Sequence, residues 1–160
     1  MNEIRDESGE HYPEGFALLR DMFEQKIAFN RLLGLKILSV GDEQATIRLQ
    51  MRDEFIGNYS RGILHGGVIS ATLDATAGLA AFYSMLEDHR GESLKQIADR
   101  FAKVGTIDMR VDYLRPGRGR QFIASARILR KGSRVAVIHT EMHDENGEMI
   151  ASGTCTYMVG

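Results

Sequence analysis

ILHGGVISATLDATAGLAA, residues 63–81, is the stretch on which the reading of this chain turns. A His-Gly-Gly triplet opens a long helical pattern, and one acid, Asp74, interrupts its apolar middle. At 100° per residue, Gly67, Ser70, Ala71, Asp74, Ala77, Gly78 and Ala81 fall within about 60° of one line. Val68, Ile69, Thr72, Leu73, Thr76 and Leu79 take the rest of the circumference. A helix that is apolar or small almost all round is a buried one. A carboxylate there is costly unless it is paired or used. The stripe of small residues beside it leaves room for another backbone or a ligand.

The triplet suits acyl-transfer chemistry. A helix N-terminus offers unsatisfied N–H groups and a partial positive charge. Glycines at Gly66 and Gly67 leave those groups open to a carbonyl oxygen that becomes anionic. The plainer reading is a tight entry into a helix, and a bare HGG favours it. Asp74 follows Gly66 by eight residues, or about 12 Å of helix axis. That is too far for both to touch one reacting carbon in one subunit. Either they are unrelated, or two chains pair so that Asp74 of one faces Gly66 of the other. His65 can orient or polarise, or simply bond loop backbone. Asn58 can hold an acyl group or water, although loop asparagines are usually turn formers. Cys155, the one cysteine, reads as a small core residue in a strand. His139 and His143 share a strand face and read as structural or exposed rather than as metal ligands. Walker, Rossmann and zinc-ligand spacings are absent from the sequence.

Outward from this stretch the chain reads as α+β. Residues 1–13 are polar and read as a flexible N-terminus; 14–160 read as one domain. Phe16, Leu19, Phe23, Ile27 and Asn30 predict one helix over Glu14–Arg31, stopped by Gly34. Leu35–Val40 and Ala45–Arg52 alternate as strands around Gly41-Asp42. Asp53–Gly62 reads as a loop, and the central helix should end near Met85. Ser93 is a candidate N-cap for a short helix to Lys103. The period then changes to two, with strands over Ile107–Tyr113, Gln121–Arg130, Arg134–His143 and Met149–Met158. Lys131-Gly132-Ser133 and Asn146-Gly147 supply hairpin turns. The pattern predicts an antiparallel sheet wrapped around one long buried helix.

With 160 residues and 43% hydrophobic composition, the chain can bury one real core. No uninterrupted apolar run has membrane-spanning length, and the acidic N-terminus resembles neither a signal nor a transit peptide. A cytoplasmic protein is the expectation. Net charge is −2, but residues 110–134 carry +7 and the remainder −9. Such a block suits an anionic ligand, or equally a set of solvated strand edges. It lacks the interleaved aromatics of a nucleic-acid platform, so no nucleic-acid partner is expected.

LHGGVISATLDATAG resembles the signature of PaaI-type hotdog-fold acyl-CoA thioesterases, in which an acid follows HGG at this spacing. GTIDMRVDYLRPGRG, RKGSRVAV and MIASGTCTYMVG resemble that family's later segments, so the likeness runs from Leu35 to Gly160. With the two extra helices, the chain resembles the YigI-type branch, associated with medium- and long-chain acyl-CoA. The resemblance implies hydrolysis of an acyl-CoA to free acid and CoA, without metal or organic cofactor. Asp74 would be the base or nucleophile, and Gly66 N–H would polarise the thioester carbonyl across a dimer interface. His65 would assist, and Asn58 would hold water or the acyl group. Gly67, Arg115, Pro116, Gly117 and Arg118, with Arg130, Gly132, Ser133 and Arg134, would bind substrate along the CoA phosphates. The family's loop asparagine commonly stands six residues before the histidine; here Tyr59 does, and Asn58 precedes it. Such domains commonly pair into homodimers and stack as dimers of dimers. A non-catalytic acyl-CoA or lipid binder and a hydroxyacyl-thioester dehydratase are the competing readings.

Overall fold

The computed structural model describes residues 4–5, 11–12, 16–42, 44–89 and 91–160. Strands β1 (Ile4–Arg5) and β2 (His11–Tyr12) pair antiparallel; the rest of the expected flexible N-terminus lies outside the described residues.

The single helix expected over Glu14–Arg31 is broken, and Glu14 itself lies outside the described residues. The chain forms α1 (Phe16–Asp21), a π-helical turn Met22–Lys26, and α2 (Ala28–Leu33), with Ile27 extended between them at φ −75°, ψ 104°. Side-chain anchors on both sides of Ile27 account for the break. Asn30 Nδ2 donates to Phe23 O at 3.1 Å. Buried Glu24 accepts from Lys36 Nζ at 2.8 Å, Ile37 N at 2.9 Å and Arg20 Nε at 3.2 Å. These bonds tie the turn to the next strand, at the expense of a continuous helical ladder. Gly34 ends α2 at φ 69°, a left-handed conformation that glycine adopts without strain.

Strands β3 (Lys36–Val40) and β4 (Ala45–Gln50) form the expected hairpin. The region expected as a plain loop holds a 3-10 turn, Asp53–Phe55, and a small hairpin of β5 (Ile56–Asn58) and β6 (Ile63–Leu64). It is clamped by His65 N donating to Phe55 O at 2.8 Å. Helix α3 (Gly66–Asp88) runs three residues beyond the expected end at Met85. Lys131 holds its last turn by reaching Ser84 O and the Asp88 carboxylate. Helix α4 (Leu94–Phe101) starts at Ser93 in a reciprocal capping box with Gln96. It docks on α3 through Phe82 and Phe101, whose rings meet edge-on at 4.6 Å.

Then come β7 (Gly105–Tyr113), β8 (Gln121–Lys131), β9 (Val135–Asp144) and β10 (Met149–Met158). The main sheet is antiparallel, in the order β3-β4-β8-β9-β10-β7. Alternate residues face α3 and are buried: Phe122, Ala124 and Ala126, then Ala136, Ile138 and Met142, then Ala151, Cys155 and Tyr157. Against them α3 buries Leu73, Ala77, Leu79 and Ala81 completely. Each buried Leu contributes about 2 kcal/mol by transfer, so this contact is the core. By length and composition α3 could cross a bilayer, unlike any run foreseen above, yet its apolar side is covered by the sheet. One buried helix in an antiparallel wrap is the hotdog arrangement expected.

Candidate active site

The N-terminus of α3 and the edge strand β7 build one end of the site. His65 is the N-cap of α3, and its Nδ1 accepts from Gly67 N at 2.8 Å. An accepting Nδ1 bears no proton, so the neutral ring carries its hydrogen on Nε2. Gly67 N–H is therefore occupied, which corrects the expectation that both glycines offer donors to a ligand. Gly66 N–H has no partner among the described residues and is the open donor at the positive end of the helix. Gly66 O accepts from Tyr113 Oη at 3.1 Å, and the Tyr113 ring lies where a Gly66 side chain would start, 3.3 Å from an ideal Cβ. The strand thus seats the helix start.

Asp74 lies two turns further along α3, half-buried, on the side facing β7 and β10. Its Oδ1 accepts from Tyr157 Oη at 2.6 Å and from Thr106 Oγ1 at 2.9 Å. Oδ2 has no partner among the described residues. The acid is therefore held by one oxygen and offers the other. Thr106 reaches it through a register shift: Thr156 pairs with Asp108 but Tyr157 pairs with Thr106, which leaves Ile107 as an extra residue. The bulge turns Thr106 to the helix side. Gly66 and Asp74 share one helix, about 12 Å apart along its axis. One chain does not bring them to one carbon.

The small-residue stripe divides. Ala77 and Ala81 are fully buried, whereas Ser70, Ala71, Asp74 and Gly78 are only partly covered. The space at Gly78 goes to Tyr157 of the same chain, with Oη 3.1 Å from an ideal Cβ. Cys155, beside this group, is fully buried, and burial, with Asp74 nearby, pushes its thiol up to about 11. It is a core residue, as expected.

Asn58 is exposed in the β5–β6 turn. Its Oδ1 accepts from Ser60 Oγ at 2.8 Å, and its carbonyl accepts from Arg61 N and Gly62 N. In this chain it is a turn former. Its neighbour Gly57 reads in the sequence only as one of the loop residues of 53–62: an ideal Cβ there would stand 2.7 Å from His65 Cα, so glycine is what lets the hairpin lie against the triplet.

The proposed substrate-binding segments separate. Arg115, Pro116 and Arg118 are exposed in the loop after β7, next to the triplet: Gly117 O accepts from Leu64 N at 2.9 Å, and Arg118 Nη1 donates to Arg61 O at 3.3 Å. Gly117 itself is buried against Leu64, Ile150 and Phe122, so it is a packing glycine and not a ligand contact. Arg130, Gly132, Ser133 and Arg134 lie at the β8–β9 turn, where Lys131 meets Asp88 at the other end of α3. Along the helix that is about 33 Å from Gly66. One chain does not bring the two arginine groups together. The cationic block is also partly neutralised from outside it: Arg115 pairs with Glu148 at 2.9 Å and Arg120 with Glu145 at 3.7 Å. His139 and His143 flank Glu141 on the outer sheet face, with His139 Nε2 3.0 Å from the carboxylate. Among the described residues no cluster of His, Cys, Asp and Glu could hold a metal.

Three side chains that shape the site went unseen in the sequence: Tyr113, Thr106 and Tyr157. A tyrosine or threonine at a strand position facing the helix gives no local signal of its partner.

Comparison with known proteins agrees with this architecture. Residues 61–151 match the model of the thioesterase superfamily. The medium/long-chain acyl-CoA thioesterase YigI of Escherichia coli (strain K12) is 43% identical over 147 residues, 92% of this chain and 95% of that protein. A crystal structure from Shewanella oneidensis, related to the thioesterase superfamily, has a TM-score of 0.86 at 41% identity, covering 92% of this chain and 96% of its own. Zebrafish thioesterase superfamily member 2, at 22% identity and a TM-score of 0.69 over 89% of this chain and 94% of its own, shares the fold. The chain belongs to the thioesterase superfamily.

Proposed function

We propose that the protein hydrolyses medium- or long-chain acyl-CoA thioesters, at sites composed between two copies of the chain. The observation that carries this reading is the pair of open groups on one helix: Gly66 N–H and Asp74 Oδ2, each free while its neighbours are satisfied. Antiparallel apposition of two α3 helices sets Asp74 of one chain opposite Gly66 of the other. Support comes from β7, an edge strand with Ile107 and Tyr113 half-exposed, and from the partly open Asp74 side of α3. Stacking into dimers of dimers is part of the same proposal.

In such a site Gly66 N–H and the helix dipole polarise the thioester carbonyl. Asp74 Oδ2 takes a proton from water, whose oxygen attacks the carbonyl carbon. The C–O bond forms, the tetrahedral oxyanion collapses, the C–S bond breaks, and CoA leaves as thiolate to be protonated. By the alternative route Oδ2 itself attacks, and water then cleaves the anhydride. Label that appears in the Asp74 carboxyl after a single turnover in labelled water marks the second route, since only attack of water on the Asp74 side of the anhydride places it there. His65 Nε2–H lies beside the donor end of the site. The medium- and long-chain preference rests on the YigI relative.

The test is a panel of acyl-CoA esters from acetyl to stearoyl, with release of thiol as readout. Wild type should turn over the longer esters, and Asp74→Asn should lose most turnover with its fold intact. Tight binding without turnover by wild type would favour a lipid-binding role and sink the proposal; loss of water from an added 3-hydroxyacyl-CoA to give an enoyl thioester, with no free CoA from any ester, would indicate a dehydratase.

A further inference from the structure

We propose that Tyr157 is the positioning residue for Asp74: its hydroxyl, lodged in the notch left by Gly78, pins Oδ1 and so selects Oδ2 as the reacting oxygen. The proposal rests on the reading of Asp74 as the reacting acid. A carboxylate rotates about a broad torsion at χ2, so nothing in aspartate alone distinguishes its two oxygens. Here one side is occupied. Tyr157 is 4% exposed, and its hydroxyl lies 2.6 Å from Oδ1 and 2.7 Å from the carbonyl oxygen of the same residue. Its single proton is shared between two acceptors that both belong to Asp74, and the Thr106 hydroxyl, which bonds the same carboxylate oxygen, also lies within hydrogen-bonding reach of the phenol. Burial, reinforced by Asp74, pushes the phenol far above its ordinary range, which keeps it a donor. Thr106 donates to the same oxygen from β7. The two donors come from adjacent strands and close off one side of the carboxylate.

The notch is the second observation. An ideal Cβ on Gly78 would meet Tyr157 Oη at 3.1 Å and Cε1 at 3.4 Å. Gly78 stands one helical turn after Asp74, so the missing side chain leaves the place the hydroxyl occupies. The plain alternative is that a buried tyrosine merely finds a partner for its hydroxyl. That alternative predicts a change in stability and none in the chemical step.

The experiment compares kcat, KM and melting temperature for wild type, Tyr157→Phe, Gly78→Ala, the double variant and Asp74→Asn. Loss of a hydrogen bond to a charged group should lower kcat of Tyr157→Phe by about ten- to a hundredfold, with KM within about twofold. Gly78→Ala should lower kcat by displacing the hydroxyl. With Phe at position 157 the added methyl has room, so the double variant should be no slower than Tyr157→Phe alone. If Asp74→Asn is inactive while Tyr157→Phe keeps wild-type kcat, or if the two losses multiply in the double variant, the positioning role is overturned and the acid's role stands. If Asp74→Asn keeps full turnover, the underlying reading of the site fails first.

Discussion

Gly66→Pro tests the composite site most directly. Proline at the first helical position supplies a compatible φ and loses only an N–H that the helix does not use. The residue before a proline must be extended, and His65 already is, at φ −67°, ψ 134°. A Cβ at Gly66 approaches Tyr113 Cε1 at 3.3 Å, which a small ring shift relieves. The substitution therefore deletes one donor with little change to the fold. Removal of one donor to a developing oxyanion costs about 10²–10³ in kcat, or roughly 3–4 kcal/mol. The decisive assay is complementation. Equal amounts of Gly66→Pro and Asp74→Asn, each nearly inactive, are unfolded together and reassembled. If a site takes its donor from one chain and its acid from the next, random pairing restores about a quarter of the sites to wild-type composition. Every site in one chain would carry one lesion, and mixing would then restore nothing. Recovery no higher than the sum of the separate variants would refute the two-chain argument.

Three further outcomes follow from the geometry. Cys155, with its thiol raised to about 11 by burial, should resist a thiol-specific disulfide reagent at pH 8 in the folded protein and react at once in denaturant; rapid labelling of the native state would contradict its place in the core. Glu24→Ala should destabilise by about 2 kcal/mol, read as a lower urea midpoint, because it strands the Ile37 N–H and two half-exposed cations; the discount for solvent screening keeps the figure below that of a fully buried pair. Arg118→Ala and Arg134→Ala should each raise KM for acyl-CoA severalfold, more at low than at high salt, with kcat little changed. Arg120→Ala, whose guanidinium faces Glu145, should alter neither.

The periodic features were the legible ones. Alternation marked the strands of the main sheet, and glycines with local chemistry marked ends: Gly34 closes α2 and Asn146-Gly147 turns β9 into β10, where Asp144 Oδ1 also accepts from Asn146 N and Glu148 N. What escaped was set by long-range contacts. Ile27 fits a helical face, yet Glu24 answers to Lys36 and Ile37, twelve and thirteen residues on. Gly67 looks like an open donor until the His65 ring folds back onto it. Thr106 falls outside the alternation of Ile107, Met109 and Val111, because the bulge at Ile107 shifts the period by one. The acid itself was legible because a carboxylate in an apolar stripe violates a local rule. Its holders, Thr106 and Tyr157, violate none, and the 32 and 83 residues that separate them from it hide the relation.

The two arginine groups, separated in one chain, bear on how CoA would lie. In the antiparallel pair proposed above, Gly66 of one chain stands level with the partner's Asp74. The partner's helix then continues past Gly66 in the direction from which its own substrate would arrive. Its last residue, fourteen positions after the acid, reaches about 21 Å beyond the donor. That end carries the β8–β9 turn, since Lys131 bonds Asp88 there. The turn brings the partner's Arg130 and the partner's Arg134, which have no ion pair among the described residues. Arg118, also without a carboxylate partner among the described residues, sits beside the donor in the first chain. A thioester bound at Gly66 would thus run its pantetheine arm past Arg118 and bring its phosphates toward cations of the other subunit. The charge block that one chain divides between two ends of a helix would be reunited by the same proposed apposition that would complete the site. Hence the double variant Gly66→Pro, Arg134→Ala, itself nearly inactive and mixed with Asp74→Asn by random reassembly, offers a second use of complementation. In the sites that regain turnover the acid and the turn come from the same chain, so their KM should remain raised. A wild-type KM in the mixture would mean that the turn and the acid serve different sites, and the antiparallel register would be wrong.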